Sequence, residues 1–406
     1  MKFPHFQSQR KFRNYAAIDL MVFLWSIGNG AVWFMLPEIT EGISGSLLIA
    51  GFLVSFPSFV SLIFDIPIGN LLSKISGKKM ITYGLLMLGV VAFMLPYIKT
   101  IAFMLVFLSL VGFLYDVVYT PAVAYVIAST KKEVVSEYMG ATMSVMHLGY
   151  AIGPVLVGLA LSYVETTASS AAGLFLAFMC FASIVPTVLM LKDVRSRPDM
   201  MHVRKNLRLG RRLLKEVFDY NHLKSVGFTL LFATFLLTFY DGMVWMLEPV
   251  YGFKLNFHPL YVGLLLSAFT LPLILFQAPA GILADKYGRK KLMMVGLLTA
   301  GLFTVFFGVE SSPAFMILHA FMATLGLSLA WPAVEGLVAG LNKGESTGVI
   351  VGVWTSAKDL GYVAGPALGA LIAYSLDSIG SAFVVIGFVL IASSIVVSIS
   401  KDMQDG

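Results

Sequence analysis

Long apolar segments recur along the whole chain, and they constrain its fold more than any other feature. A segment of about 20 apolar residues is long enough to cross the hydrocarbon core of a bilayer. The chain is 58% hydrophobic and 12% charged, whereas a typical soluble protein is about 25% charged. The runs are continuous and do not alternate with a period of two, which favours helices over a closed barrel. We therefore predict an all-α polytopic membrane protein with the lipid bilayer as its main solvent.

The apolar segments predict about twelve transmembrane helices joined by short connections. A polar, basic stretch at 192–224 separates the first six helices from the last six. We expect a first bundle at 1–191, a cytoplasmic linker at 192–224 and a second bundle at 225–406. The expected helices are 16–37, 46–71, 79–98, 101–129, 136–163, 171–191, 225–250, 259–284, 291–309, 313–340, 347–374 and 381–400.

The positive charges predict the orientation of the chain. With the N-terminus placed in the cytoplasm, all but three of the 28 Lys and Arg residues fall on cytoplasmic segments. The exceptions are Lys99 and Lys254 in outer connections and Lys358 inside a helix. This asymmetry is typical of membrane proteins, and it supports cytoplasmic termini and an even helix count. The net charge of +6 is explained by topology, so no nucleic acid partner is predicted.

The second half of the chain repeats the first with a constant offset of 212 residues. Gly30–Pro37 returns as Gly242–Pro249, and Trp33 in the first copy matches Trp245 in the second. Glycines and prolines of later helices keep the same register. Two six-helix halves of equal orientation are therefore expected, an arrangement that suits alternating access to a binding site.

A basic segment bounded by glycines covers the end of the eighth predicted helix and the turn after it, and it contains Gly281, Asp285, Gly288, Arg289 and Lys290. Glycine lets two helix ends turn tightly, and the Asp285 carboxylate is suited to accept from Arg or from helix N-terminal amides. On these residues, and over nearly its whole length, the chain resembles the major facilitator superfamily. The resemblance implies that this turn is a latch that helps to set the conformational balance. The alternative is a basic turn that only fixes the topology.

The matching turn of the first half departs from this pattern. It contains Gly69, Gly77 and Lys78, with one more residue between its glycines and no Asp at the position that matches Asp285. Asp65, four residues before Gly69, is the candidate substitute charge. The resemblance implies that the first-half latch is usually the better formed of the two. The departure therefore leaves open how the balance between conformations is set in this protein.

Spaced glycines mark the fifth and eleventh predicted helices. Their pattern resembles the motif typical of drug–proton antiporters of the superfamily, although Leu159 stands where the closing glycine pair would end. Close backbone packing of two symmetric helix pairs explains the pattern equally well. The residues are Gly140, Gly149, Gly153, Pro154 and Gly158 in the fifth helix, and Gly352, Gly361, Gly365, Pro366 and Gly369 in the eleventh.

Ionisable residues within the apolar segments are the candidates for binding substrate or protons. Each destabilises insertion by about 2.5–3.5 kcal/mol unless it is paired or faces a cavity. Asp241 and Asp359 lead, because a partly buried carboxylate gains or loses a proton on a modest change in exposure. A static ion pair with Lys358 is the alternative, and Lys358 is itself a candidate for binding an anion. The full set is Asp116, His147, Asp241, Glu335, Lys358 and Asp359.

Other residues have simpler interpretations. Glu38 and Glu248 fall near outer helix ends, where we expect them to be solvated. Trp33 and Trp245 suit either interface anchoring or a substrate cavity. Cys180, the single cysteine, is expected to pack in the core. The sequence has no P-loop, zinc-protease motif, paired-cysteine site or nucleophile elbow, so no metal, cofactor or enzymatic activity is predicted.

These observations predict a monomeric secondary active transporter that works by alternating access. The preferred version is proton-coupled efflux of small amphipathic or hydrophobic compounds, in which a carboxylate is neutralised either by a proton or by the substrate. A symporter or uniporter for a polar or anionic metabolite is the second hypothesis. A membrane receptor or scaffold without transport is the third. Short termini and compact loops favour the cytoplasmic membrane of a prokaryote.

Overall fold

The computed structural model describes residues 9–72, 75–129, 135–191, 227–341 and 347–400, and within these ranges the chain is helical without strands. The all-α prediction is therefore confirmed. The helices of the first half are α1 (Gln9–Ser44), α2 (Leu47–Leu71), α3 (Gly77–Ala92), α4 (Ile101–Ser129), α5 (Val135–Tyr163) and α6 (Ala168–Leu189). Those of the second half are α7 (Phe228–Lys254), α8 (Pro259–Ala268), α9 (Leu271–Tyr287), α10 (Arg289–Val309), α11 (Pro313–Leu341), α12 (Thr347–Ser375) and α13 (Ile379–Ile399).

Eleven spans in the described ranges are long and apolar enough to cross a membrane, and α8 and α9 together form one of them, Pro259–Tyr287. The remaining long helix, α12, has 29 residues and carries Lys358 and Asp359 near its middle. The prediction of about twelve membrane helices is confirmed by this count. The predicted linker at 192–224 lies outside the described residues.

The first helix is longer than predicted, because Pro37 lies inside α1 and does not end it. Proline removes one helical hydrogen bond and loosens the ladder. The Thr40 hydroxyl donates to the carbonyls of Leu36 and Pro37, at 2.8 and 3.0 Å, and supplies polar contacts at this point. The repeat-related Pro249 likewise lies inside α7, which continues to Lys254.

Two predicted helices are interrupted. The third ends at Ala92, and a 3₁₀ turn at Leu95–Tyr97 with Pro96 at its second position follows it. The eighth is divided between α8 and α9 around Thr270, whose hydroxyl donates to the Leu266 carbonyl at 3.2 Å. Proline at the second position of α9 has no N–H to continue the ladder.

The described helices form two compact units. One comprises Met1–Met35 and Phe56–Val203, and the other comprises Leu36–Ser55 and Arg204–Gly406. The segment Leu36–Ser55, which comprises the end of α1 and the start of α2, therefore groups with the second half of the chain. In the first unit α3 packs on α4 and α6, and in the second α10 packs on α11 and α13 while α7 packs on α12.

Several glycines of the predicted motifs lie where two helices pack closely. In the first unit a Cβ on Gly149 would collide with Ser26 of α1, and one on Gly153 would collide with the backbone from Ile27 to Ala31. In the second unit, a Cβ on Gly361, Gly365 or Gly369 of α12 would likewise collide with α7. The α7 residues involved include Thr238 and Met243, which match Ser26 and Ala31 of α1 in the repeat. A Cβ on Gly140 would have no neighbour within 4 Å among the described residues. Gly158 is buried, and the side-chain surroundings of Gly352 lie outside the described residues.

Candidate functional site

A carboxylate within a membrane span is the centre of a polar cluster in the second unit. Asp241 lies inside α7 and is half-buried. Its carboxylate accepts hydrogen bonds from the Tyr362 hydroxyl of α12 and from the indole N–H of Trp245. Trp245 follows Asp241 by one helical turn and so lies on the same face of α7. Lys358 of α12 interacts electrostatically with Asp241.

The ammonium group of Lys358 lies between two indole rings. It is 4.8 Å from the ring centroid of Trp354, one turn earlier on α12, and 5.4 Å from that of Trp331 on α11. Both distances fall within the range of about 6 Å at which a cation is attracted to an aromatic face. Lys358 also interacts with the carboxylate of Glu335 on α11. Glu335 is exposed.

We refer to these groups as the Asp241–Lys358 site, which joins three helices of the second unit. It combines a carboxylate, an ammonium group and aromatic surfaces, and so offers partners for an ionised or aromatic solute. Asp359, predicted as the second carboxylate, is half-buried beside Lys358. Adjacent helix residues point about 100° apart, so Asp359 lies on a different face of α12 from Lys358. The site consists of Asp241, Trp245, Trp331, Glu335, Trp354, Lys358 and Tyr362.

The repeat-related positions of the first unit carry no charge. Asn29 replaces Asp241 and donates to the Trp25 carbonyl at 2.9 Å. Tyr150, which matches Tyr362, donates to the hydroxyl of Tyr115 at 3.4 Å. Met146 stands at the position of Lys358. The polar site is therefore a property of the second unit and not of the repeated fold.

An apolar pocket in the first unit has a carboxylate at its edge. The Thr142 hydroxyl of α5 donates to Asp19 of α1 at 2.8 Å. The indole nitrogen of Trp25 is buried and has no hydrogen-bond partner among the described residues. The pocket lies between α1, α4 and α5 and is lined in part by Val22, Trp25, Tyr119, Thr142, Met143 and Met146.

Two predicted site residues of the first unit lie away from the Asp241–Lys358 site. Asp116 lies in α4 next to Tyr115 and is buried, with 3% of its surface exposed. His147 lies in α5 and is half-buried. The described first unit does not bring either side chain into the pocket lining.

The predicted latch residues of the second unit form a defined turn between α9 and α10. Arg289 donates to one Asp285 oxygen, from Nε at 3.2 Å and from Nη2 at 2.9 Å, and its Nη1 donates to the Gly336 carbonyl of α11 at 2.6 Å. Gly288 has φ +94°, a conformation that side chains rarely adopt. Gly281 approaches Pro332 of α11 at 3.8 Å from its ideal Cβ. The turn therefore ties the ends of three helices.

The matching turn of the first unit is built differently. Ser76 caps α3, its hydroxyl accepting from the Lys79 amide at 3.3 Å, where the second unit has Gly288. An ideal Cβ on Gly77 would lie 3.9 Å from Pro121 of α4, whereas one on Gly69 would have no neighbour among the described residues within 4 Å. The side chain of Asp65 lies outside the described residues. No carboxylate–arginine pair ties this turn in the part of the first unit that the structure describes.

Some residues of these sites were missed or misplaced by the sequence predictions. Asp19 was overlooked, although an acidic residue followed directly by an apolar run was a signal that it lies within a span. Tyr362 had no distinguishing pattern, because a tyrosine in a membrane helix has many roles. The prediction that Glu248 is solvated is wrong: the residue lies in α7 and is 0% exposed. Cys180 is buried.

The chain belongs to the Major Facilitator Superfamily, whose sequence pattern matches residues 18–240 and 230–402. It is similar to the quinolone resistance protein NorA of Staphylococcus aureus, with 27% identity over 146 residues, 36% of this chain and 38% of NorA. It is also similar to an uncharacterized MFS-type transporter of Methanocaldococcus jannaschii, with 26% identity over 170 residues, 42% of this chain and 44% of the relative. These matches span less than half the length of either relative.

Solved structures share the fold over almost the whole chain. A nucleoside transporter, NupG, superimposes with a TM-score of 0.75 and 13% identity, covering 95% of this chain and 98% of NupG. A peptide transporter, POT, superimposes with a TM-score of 0.73 and 12% identity, covering 96% of this chain and 95% of POT. The protein is thus an integral membrane protein with the fold of the superfamily's transporters. Among the described residues there is no group of His, Cys, Asp and Glu arranged to hold a metal.

Proposed function

We propose that the protein is a secondary active transporter that exports small amphipathic compounds in exchange for protons by alternating access. The observation that carries this proposal is the Asp241–Lys358 site, where a carboxylate within a span has two neutral hydrogen-bond donors and a nearby cation. Such a group suits competition between a proton and a cationic substrate for one negative charge. The similarity to NorA, whose name records quinolone resistance, supports efflux as the direction.

The surroundings of the two polar centres support an amphipathic substrate. Trp331 and Trp354 present ring faces next to Lys358, and the indole nitrogen of Trp354 is buried without a hydrogen-bond partner among the described residues. In the first unit Trp25 and Tyr119 line the pocket near Asp19. Aromatic surfaces with a few polar groups are typical of small-molecule sites.

Liposome transport tests the proposal. The protein would be reconstituted with a pH-sensitive dye inside, and a panel of lipophilic cations, sugars and carboxylates would be added under an imposed pH gradient. We expect proton movement with lipophilic cations, and loss of pH-driven flux by tenfold or more in Asp241→Asn. Asp377→Asn is the matched control, because Asp377 is exposed in the turn before α13 and its positive φ of 50° suits Asn equally well. Unchanged driven flux in Asp241→Asn would remove Asp241 from the mechanism.

A second candidate function is transport of an anionic metabolite, which the position of Lys358 favours. Lys358 is half-buried, and its ammonium group lies against ring faces. Among the described residues it forms no close ion pair with a carboxylate. Anion uptake abolished by Lys358→Ala, with Lys99→Ala as the exposed control, would support this alternative. Binding of solutes without any flux would instead support the receptor hypothesis.

A further inference from the structure

Glu248 is a carboxyl group enclosed by protein. It lies in α7 and is 0% exposed. Neither of its oxygens has a hydrogen-bond partner in the part of the chain that the structure describes. Transfer of an ionised carboxylate into such surroundings is strongly unfavourable, and a group of this kind neutralises instead. The surroundings of Glu248 therefore fit a protonated, neutral carboxylic acid.

Within the part of the chain that the structure describes, no charged neighbour compensates for this burial. No charged or titratable side chain of the described helices interacts with the Glu248 carboxyl group. Helix α7 packs against α8, α11, α12 and α13, and α13 carries no titratable group. The titratable groups on α7 itself, on the other three helices and on the segment Leu36–Ser55 are Glu38, Glu41, Tyr240, Asp241, Tyr251, Lys254, Tyr261, His319, Glu335, Lys358, Asp359, Tyr362 and Tyr374.

The internal repeat shows that packing does not require a carboxyl group at this position. Leu36 occupies the matching position in α1, directly before the repeat-related Pro37, and is 1% exposed. An apolar side chain is thus the ordinary solution for this place in the fold. A buried acid in its place lowers stability unless it is retained for another reason.

The position of Glu248 on α7 indicates what that reason is. Glu248 follows Asp241 by seven residues, two helical turns or about 10 Å, and so lies on the same face of α7. Six residues further on, Lys254 ends the helix and pairs with Glu41 at 2.8 Å, with half of the Lys254 side chain exposed. Pro249 interrupts the hydrogen-bond ladder directly after Glu248. Glu248 therefore lies between the Asp241–Lys358 site and an end of α7 that reaches water.

We propose that Glu248 is a proton-binding site of the transport cycle, resting on the proposed function. In the conformation described here the acid is neutral and enclosed. When this end of α7 opens to water, the carboxyl O–H bond breaks, the proton passes to water and Glu248 becomes a carboxylate. Coupling requires that Glu248 release this proton to one side of the membrane and regain a proton from the other side before it is enclosed again, so that one proton crosses in each cycle.

Infrared spectroscopy tests the protonation state without any transport. The protein in lipid at neutral pH should show the carbonyl band of a neutral carboxylic acid, and Glu248→Gln should weaken it. Glu165→Gln, in the exposed connection between α5 and α6, is the control and should leave the band unchanged. A band of equal intensity in wild type and Glu248→Gln would overturn the proposal.

Transport then tests the coupling. Glu248→Gln and Glu248→Leu should both lose pH-driven flux by tenfold or more, while substrate exchange at equal pH continues. Glu248→Leu should also unfold at a higher temperature than wild type, because it restores the residue of the first repeat. Driven flux that is unchanged in Glu248→Gln would overturn the coupling role. A wild type without pH-driven flux would refute the proposed function and the coupling role, whereas the infrared band would still show whether Glu248 holds a proton.

Discussion

Lys78 and Lys290 occupy matching positions of the internal repeat and make the same contact. The ammonium group of Lys78 donates to the Val188 and Leu191 carbonyls at the end of α6, both at 2.8 Å. That of Lys290 donates to the Ser400 carbonyl after α13 at 2.6 Å. Val188 and Ser400 are themselves 212 residues apart. Each lysine thus binds carbonyls left unpaired at the end of the last helix of its half, where the helix dipole favours a cation.

The first prediction concerns these two lysines. Lys78→Met and Lys290→Met should each lower the free energy of unfolding by about 1 kcal/mol. This value is smaller than that of a fully buried hydrogen bond to a charged group, because both lysine side chains are partly exposed. Thermal unfolding of the purified protein would measure the change. Lys79→Met and Lys291→Met are matched controls, since these neighbours are exposed. Equal stability of all four variants would show that the contacts contribute nothing.

The glycines of α12 give a second prediction. Gly361→Ala should lower the free energy of unfolding by roughly 1–3 kcal/mol, because its Cβ would meet the backbone of α7 at Phe235, 2.6 Å away, as well as the Thr238 side chain. Gly140→Ala is the control from the equivalent motif of α5. It should be neutral or stabilise by up to about 1 kcal/mol, since it has open space and alanine favours a helix. Normal stability of Gly361→Ala would contradict close packing as the role of this glycine.

The arginine of the α9–α10 turn gives a third prediction. Arg289→Lys keeps the positive charge but has only one nitrogen to replace the three that contact Asp285 and Gly336. If the turn is a latch, the variant should transport several-fold more slowly while it binds substrate with unchanged affinity. Flux and equilibrium binding measured on one preparation would separate these effects. Transport by Arg289→Lys at the wild-type rate would contradict the latch role and would support the alternative that the turn only fixes the topology.

The sequence predicted the architecture because apolar length, charge asymmetry and the repeat are properties of the linear chain. The spacing that relates Gly149 to Gly361 is visible in the letters, and so is the isolated acid Asp241. The partners of that acid were not visible, since Tyr362 is 121 positions away and packing alone brings it to α7. The burial of Glu248 was missed for the same reason, because proximity to a helix end in sequence does not show what encloses a side chain.

The acidic residue in the connection between α10 and α11 gives a fourth prediction. The amides of Ser311 and Ser312 donate to Glu310 at 2.9 Å, and these hydrogen bonds lower the pKa of Glu310 below its ordinary value of 4.5. A group with a lowered pKa stabilises the fold above its unfolded value, and this stabilisation is lost as the pH falls through the folded value. Wild type should therefore be more stable than Glu310→Gln at neutral pH, and the difference should shrink below about pH 4. A difference that is constant with pH would contradict the assignment.

The pocket of the first unit gives a fifth prediction. Asp19 is held by Thr142 at the edge of a lining that includes Trp25, Tyr119 and Met143. The pocket is only about 10 Å³ in this conformation, so a lipophilic cation would gain both a charge and aromatic contacts there once the pocket widens during the proposed transport cycle. Asp19→Asn should weaken binding of such cations by roughly tenfold, equal to about 1.4 kcal/mol, and should leave neutral compounds of similar size unaffected. Thr142→Val should have a smaller effect of the same kind, because it removes only the hydroxyl that orients the carboxylate, whereas Thr142→Ser should bind as wild type does. Equal weakening of cations and neutral compounds in Asp19→Asn would indicate a change in the shape of the pocket and would exclude charge recognition by Asp19.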